Sequence, residues 1–305
     1  GKEGENMSAK AMKVKRSTGD KVFDIVNYTF LIFLTLIVLY PLVYVLSASF
    51  SSPYAVTSGQ VWLFPKDVSL VGYETVFKDP NIVSGFFYAV YRTVLGTLIG
   101  VVMTMMAAYP LSVRDFAGRG VFMKLLTFTM MFGGGLIPSF LNINELGLYG
   151  TYWALVIPGA VGVYNVIITR TFIQSTIPYD LYESASLDGC SDLGYFLKVV
   201  IPLSKPILAV LTMYVAVGHW NDYFNAMIYL KSDNYPLQVV LRNIILMNQI
   251  DPENMADVDT MMKMQGLAEL LKYSLIVISS VPMLLLYPFI QKHFVKGVMI
   301  GAIKG

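Results

Sequence analysis

Long apolar stretches alternate with shorter polar segments along nearly the whole chain. Each stretch can hold the ~20 residues that an α-helix needs to cross the ~30 Å hydrocarbon core of a bilayer. The predicted spans are residues 22–46, 84–113, 121–141, 153–172, 207–230 and 267–289. The pattern therefore predicts an all-α, polytopic membrane protein with six transmembrane helices.

The polar segments divide the chain into a membrane domain and two tails. Residues 1–21 are polar and basic, residues 22–291 hold the predicted spans, and residues 292–305 form a second short tail. The first apolar stretch is longer than the core of a signal peptide, which has about 7–15 residues, so we expect it to stay in the membrane. Because the chain begins with Gly1, Met7 is a candidate natural start.

The distribution of basic residues predicts the orientation of the spans. Placing the N-terminus inside leaves 15 Lys and Arg residues in the inner segments and 5 in the outer ones. Cytoplasmic loops of membrane proteins carry such an excess. We therefore expect both termini, and the segment between the fourth and fifth spans, to lie in the cytoplasm of a cell-membrane protein.

That segment, residues 175–205, carries charges of both signs and is predicted to form two short helices at the membrane surface. Gly189 is expected to join them, because glycine adopts a positive φ at little cost. Ser191 is a candidate N-cap for the second helix, and Pro202 is expected to end it. Between them, apolar residues recur at helical spacing, namely Leu193, Phe196, Leu197, Val200 and Ile201.

The same segment resembles the loop E-A-A, three residues, G, about nine residues, I-x-L-P of permease subunits in binding-protein-dependent ABC importers. Residues 183–189 read ESASLDG, and 199–203 read VVIPL after a longer gap. In the family this loop is the coupling helix that docks on the ATPase. The resemblance implies this role for Glu183, Ser184, Ala185, Asp188, Gly189, Ile201 and Pro202. An ordinary interfacial hairpin is the alternative.

Further stretches are similar to the maltose-type carbohydrate branch of this family, which imports complex polysaccharides and oligosaccharides. They are residues 107–120, 132–172, 217–230, 235–245 and 294–305. The resemblance implies a complex with a second homologous permease, two ATPase subunits and an extracytoplasmic solute-binding protein. It also implies an oligosaccharide substrate, neutral or mildly acidic and larger than a disaccharide.

The motifs that the sequence lacks are consistent with a transport subunit whose ATPase is a separate chain. The sequence contains no G-x-x-x-x-G-K-[ST], so ATP and Mg²⁺ would bind on the partner ATPase. One cysteine and two widely spaced histidines give no metal or catalytic site, and no cofactor or nucleic-acid partner is expected. A secondary transporter or channel would leave the 175–205 segment unexplained. An integral membrane enzyme would need a catalytic constellation that the sequence lacks.

Polar residues inside the predicted spans are candidates for the substrate pathway, because polar groups facing lipid are costly. The candidates are Arg92, Asn165, Trp220, Asn221, Asp222 and Tyr223. Aromatic faces and hydrogen-bonding side chains suit a sugar. Arg92 could instead meet an acidic sugar, pair with Asp222, or extend its side chain to the lipid headgroups.

One glycine-rich segment and one acidic segment can each be interpreted in two ways. Gly133, Gly134 and Gly135 lie within the third predicted span, where they could serve helix packing or an unwound turn in the pathway. Residues 231–266 form a long predicted outer loop with several acidic residues. This loop could dock a binding protein or simply be solvated.

Overall fold

The computed structural model describes residues 17–247 and 258–302, and within them all regular structure is helical. The helices of the first half are α1 Thr18–Ser49, α2 Pro53–Thr57, α3 Val71–Lys78, α4 Pro80–Ser112, α5 Arg119–Met131, α6 Leu136–Glu145, α7 Trp153–Val156 and α8 Val163–Thr176. Those of the second half are α9 Asp180–Leu187, α10 Asp192–Tyr195, α11 Ile201–Leu203, α12 Lys205–Asn221, α13 Tyr223–Tyr229, α14 Leu237–Met247 and α15 Val258–Ala302.

Fewer helices cross a membrane by length and composition than the sequence predicts. Among the described residues, α1, α4 and residues 266–288 of α15 qualify singly. Two bent pairs, α5 with α6 and the segment 192–203 with α12, raise the number to five. The protein is therefore an all-helical polytopic membrane protein with three to five candidate spans.

The third and fourth predicted spans are not continuous helices. A bend of 114° separates α5 from α6, and Gly135 in that turn has a φ of +82°. Residues 132–135 are not helical, so the glycines form an unwound turn, and a Cβ at Gly133 would meet nothing within 4 Å. In the fourth stretch α7 ends at Val156 and α8 starts at Val163, because Pro158 cannot continue the α7 hydrogen-bond ladder.

The predicted outer loop 231–266 is partly helical. It contains α14, and α15 already begins at Val258. Small residues allow α14 to approach α4 closely, because a Cβ at Gly85 would lie 3.2 Å from the Tyr235 carbonyl oxygen. The loop's acidic residues Asp251, Glu253 and Asp257 lie outside the described residues.

The predicted boundary between the membrane domain and the C-terminal tail does not coincide with a helix end. α15 continues to Ala302 with no break at residue 291.

α4 is the central helix of the bundle and packs against α8, α12 and α14. Its small residues face these neighbours, and Ala89, Gly96, Gly100 and Ala108 are all buried. α1, by contrast, contacts the rest of the chain mainly near its C-terminal end, where the Tyr44 and Tyr273 rings meet edge to face at 5.7 Å. An apolar helix exposed on all sides is suited to lipid or to a partner subunit.

Candidate functional site

The two short helices predicted between residues 175 and 205 are present. α9 ends at Leu187, and Gly189 follows with a φ of +77°, which confirms the predicted turn. The Ser191 hydroxyl accepts a hydrogen bond from the Gly194 amide at 3.2 Å, which confirms the predicted N-cap. Local signals in the sequence therefore determine this hairpin.

Pro202 does not end the second helix as expected. The helix runs from Asp192 to Leu203 and breaks at Ser204, where the chain bends by 80° into α12. A π-helical turn at Phe196–Val200 precedes the proline. This wider turn accommodates a residue that cannot donate and that would otherwise crowd the preceding carbonyl groups.

The apolar stripe of this helix is buried only in part. Phe196 and Val200 belong to a core cluster with Met105 of α4 and Leu211 of α12. Leu193 and Leu197 are instead exposed. The hairpin is therefore anchored by one side of this helix, where Tyr195 is also buried, and by Tyr182 and Ala185 of α9, which pack against the same cluster.

Most of the predicted coupling residues in and next to α9 are exposed. Glu183, Ser184, Asp188 and Gly189 are exposed, whereas Ala185 packs partly against the core cluster below it. No residue of α9 is buried. Ile201 is half-buried and Pro202 exposed, at the far end of the hairpin.

A cleft of about 760 Å³ lies behind α9. Its walls come from the end of α4, the start of α5, the end of α8 and α9 itself, and include Ser112, Arg119, Gln174 and Tyr182. Side chains of α8 cap the last carbonyl groups of α4. Gln174 Nε2 donates to the Ser112 oxygen at 3.1 Å, and Arg170 Nε donates to the Leu111 oxygen at 2.9 Å.

The second group of candidate residues surrounds the break between α12 and α13. Arg92 of α4 is 1% exposed, and its Nη2 lies 3.3 Å from Asp222 Oδ2. Its guanidinium also donates to the main-chain oxygens of Asp222, at 3.0 Å, and His219. Of the three alternatives for Arg92, the structure therefore shows the ion pair with Asp222.

Arg92 supplies hydrogen-bond donors to backbone carbonyl groups at the break between α12 and α13. The last carbonyl groups of a helix lack intrahelical partners and are costly when they are buried unpaired. Arg92 supplies donors to two of them, while the Asp222 side chain accepts from the Asn225 amide at 3.1 Å and caps α13. Asp222 thus joins both helix ends to α4.

Close packing of α4 on α12 allows Arg92 to reach these carbonyls. One turn along α4, a Cβ at Gly96 would lie 2.5 Å from His219 Nε2. Only glycine leaves room for the ring where it stands. His219 is thus a packed residue of the bundle.

Trp220 lies deeper in the bundle than a pathway residue would. It is 3% exposed, its Nε1 donates to the Ser279 oxygen at 2.9 Å, and its ring meets Phe86 edge to face. One face still lines a cavity of about 460 Å³ between α12, α14 and α15, together with Asn221. Asn221 itself is exposed.

The sequence did not point to a further polar residue of this cavity, Gln238. Its Nε2 is buried and has no hydrogen-bond partner within the described part of the chain. The residue was overlooked because it fell in a predicted outer loop. Ser280 and Tyr287 add hydroxyl groups to the same lining.

Two other predicted pathway residues lie apart from this cavity. Asn165 is half-buried in the first turn of α8, and Tyr223 is 44% exposed at the start of α13. Neither lines the cavity. Within residues 17–247 and 258–302, no group of three His, Cys, Asp or Glu side chains could hold a metal ion.

Comparison with known proteins gives a consistent result over nearly the full length. Residues 7–300 match the family described as binding-protein-dependent transport system inner membrane component. Protein LplC of Bacillus subtilis is 39% identical over 286 residues, covering 93% of this chain and 96% of LplC. The polygalacturonan/rhamnogalacturonan transport system permease protein YtcP of the same organism is 40% identical over 287 residues, covering 94% and 99%.

A solved structure is also similar. One chain in the crystal structure of a bacterial ABC transporter involved in the import of the acidic polysaccharide alginate superposes with a TM-score of 0.84 at 35% identity. The match covers 92% of this chain and 99% of that one.

Proposed function

We infer the function from the family: the chain belongs to the binding-protein-dependent transport system inner membrane components and is a permease subunit of an ABC importer. It is a multi-pass inner-membrane protein and not itself an enzyme. ATP binds to the partner ATPase of the complex. The assembly has the components of a binding-protein-dependent transporter.

We propose that the complex contains a second homologous permease, two ATPase subunits and an extracytoplasmic solute-binding protein. We further propose six spans, with the bent α5–α6 pair and the 153–176 region as the third and fourth and both termini in the cytoplasm. The excess of basic residues in the inner segments supports this orientation. Residues 1–21 and 292–305 are then the cytoplasmic tails of a domain at 22–291.

We propose that α9 is the coupling helix. The observation that carries this proposal is a short exposed helix, ended by a left-handed glycine, at the residues that resemble the family loop. Glu183 on its exposed surface can accept charge-assisted hydrogen bonds from basic groups of the ATPase. Closure of the ATPases would move α9, and the attached helices would alternate the cavity between outward and inward access.

The proposed substrate is an oligosaccharide, with uronate-bearing chains as the sharper candidate. YtcP is named for polygalacturonan and rhamnogalacturonan, and the structural relative imports the acidic polysaccharide alginate. In this chain, Asn221 and Gln238 offer amide groups beside aromatic rings at the 460 Å³ cavity. Amides and aromatic faces orient a sugar without requiring a charge.

Uptake by the reconstituted complex tests the substrate. Accumulation of labelled oligogalacturonides, but not of amino acids or metal ions, is the expected result. Gln238→Leu should reduce uptake several-fold, because it removes a polar side chain from the cavity lining. Gln60→Leu, on an exposed loop, is the matched control. Uptake of amino acids without any response to glycans would contradict the proposal.

Co-purification of the ATPase tests coupling. Glu183→Ala and Gly189→Pro should each weaken ATPase binding and abolish sugar-stimulated hydrolysis at normal membrane levels, because neither residue lies in hydrocarbon. Full binding and transport in both variants would show that α9 is not the coupling element.

A further inference from the structure

We propose that Tyr179 and Asp115 form a strut that locks α9 to the α4–α5 turn, so that displacement of α9 drives α4 and α5 as well as α12. The proposal rests on the coupling role of α9. Tyr179 and Asp115 are positioning residues in it, since neither touches sugar or nucleotide.

The strut is a direct contact between segments that are 64 residues apart. The Tyr179 hydroxyl donates to Asp115 Oδ2 at 2.7 Å. The guanidinium carbon of Arg114 lies 4.9 Å from the centre of the same ring. Tyr179 precedes the first residue of α9, and Arg114 and Asp115 follow the last residue of α4.

The cleft behind α9 explains why a strut is needed. α9 has no fully buried residue and rests on the core cluster through the half-buried Tyr182 and Ala185. Beside this contact, a cleft of about 760 Å³ lies between α9 and the ends of α4 and α8, so a push on α9 meets few packed side chains on that side. Tyr179 lines this cleft and bridges it.

The other connection of α9 runs through the second helix of the hairpin. At its C-terminal end the chain turns at Gly189, where a Cβ would meet nothing within 4 Å. Across this turn the Tyr182 hydroxyl donates to Asp192 Oδ1 at 3.1 Å, and the Tyr182 and Tyr195 rings meet edge to face at 5.3 Å. A push on α9 therefore reaches α12 through the second helix, but reaches the α4–α5 turn directly through the Tyr179–Asp115 contact.

The ends of α4 and α8 can receive that push as one body. Gln174 and Arg170 of α8 bond to the last carbonyl oxygens of α4. The Tyr109 ring of α4 stacks at a tilt on Phe196, with 4.9 Å between the centroids. The strut thus connects α9 to a region that is already held together by several contacts.

The test uses the complete reconstituted complex with Tyr179→Phe, which keeps the ring and removes the donor. Coupling between distant sites typically amounts to a 5–150-fold effect. We expect the ratio of sugar transported to ATP hydrolysed to fall about fivefold, while ATPase binding and membrane level stay normal. Asp115→Ala should have the same effect, and the double variant should add little because both changes remove one contact.

Tyr182→Phe is the matched control on the same helix, and its ratio should stay within about twofold of the unmodified complex. Asp115→Asn keeps an acceptor oxygen and should retain most of the ratio, which a general loss of structure would not explain. An unchanged ratio in Tyr179→Phe would overturn the strut, as would an equal loss in Tyr182→Phe. If Glu183→Ala also keeps the ATPase and full transport, the coupling role of α9 itself is wrong.

Discussion

Besides the α8 side chains that cap its last carbonyl groups, α4 has two polar joints of opposite character. The joint at Arg92 is buried and lies inside a predicted span, whereas Asp115, beyond the other end of α4, is exposed. A charge in a dry environment cannot be separated from its partner without a large cost. An exposed pair exchanges its partner for water cheaply. The buried joint therefore suits permanent attachment, and the exposed joint suits a contact that is loaded and released in each transport cycle.

The largest expected effect is at the buried joint. Arg92→Met removes the cation that pairs with Asp222 and the donors to two helix-end carbonyls, and should destabilise the protein by about 3 kcal/mol or more. The measurement is the melting temperature of the detergent-solubilised complex. Adding Asp222→Asn should recover part of the loss, since the pair is coupled.

The matched control is an exposed ion pair in the same chain. Lys78 and Glu74 lie 3.8 Å apart with exposed side chains. Lys78→Met should change stability by no more than about 0.5 kcal/mol. A loss in Arg92→Met as small as this would show that Arg92 is replaceable by water, and the distinction between the joints would disappear.

The contact between α4 and α12 gives a smaller effect at the same joint. Gly96→Ala places a Cβ against the His219 ring and should cost about 1–3 kcal/mol. Gly120→Ala, in α5 with nothing within 4 Å of the new Cβ, should leave the melting temperature unchanged or slightly higher. Equal melting temperatures of the two variants would mean that the helices are not in close contact at Gly96.

The two regions also differ in how far the sequence predicts them. Gly189 and the cap at Ser191 act on their own neighbours in the chain, so the hairpin of α9 and α10 could be predicted. The break after Asn221 could not. It depends on Arg92, whose partner Asp222 is 130 residues away in the chain. A hydrophobicity window counts apolar residues and has no information on where the backbone carbonyls find donors.

This limit of hydropathy also explains why the bend between α5 and α6 and the position of Gln238 differ from the prediction. Residues 121–141 are mainly apolar and carry one charged residue, Lys124, so the 114° bend between α5 and α6 does not interrupt the hydropathy of the stretch. Only Gly133–135 mark the place, and glycine signals packing as well as turning. Gln238 was missed for a related reason, because α14 is too short to register as a span and its residues were assigned to a loop.

In the hairpin that follows the exposed joint, loss of the helix cap at Ser191 should have a local effect. Ser191→Ala removes the acceptor for the Gly194 amide, and caps of this kind contribute about 1 kcal/mol. We expect the amides of residues 192–195 to exchange hydrogen about fivefold faster, with little change in melting temperature. Ser58→Ala, an exposed serine bonded only to the Tyr54 oxygen, is the control. A large fall in melting temperature would mean that the hairpin is part of the global core.

The smallest effect on stability is expected for Asp115→Asn, because its partner Tyr179 is at the surface and the amide oxygen can still accept. The informative quantity is the ionisation of Tyr179. The hydrogen bond to Asp115 raises the pKa of Tyr179 above its ordinary value. The contact is therefore fully present below about pH 10, the ordinary tyrosine pKa, and is lost as the pH rises through the higher pKa of the folded protein.

Removing the negative charge of Asp115 should lower the pKa of Tyr179. Difference absorption of tyrosinate between Asp115→Asn and the unmodified protein should show Tyr179, and to a smaller extent Tyr182, titrating earlier, whereas Asp233→Asn should show no such change. Identical titrations would mean that Tyr179 and Asp115 are not in contact in the membrane-embedded protein, and the buried joint at Arg92 would then have no exposed counterpart at Asp115.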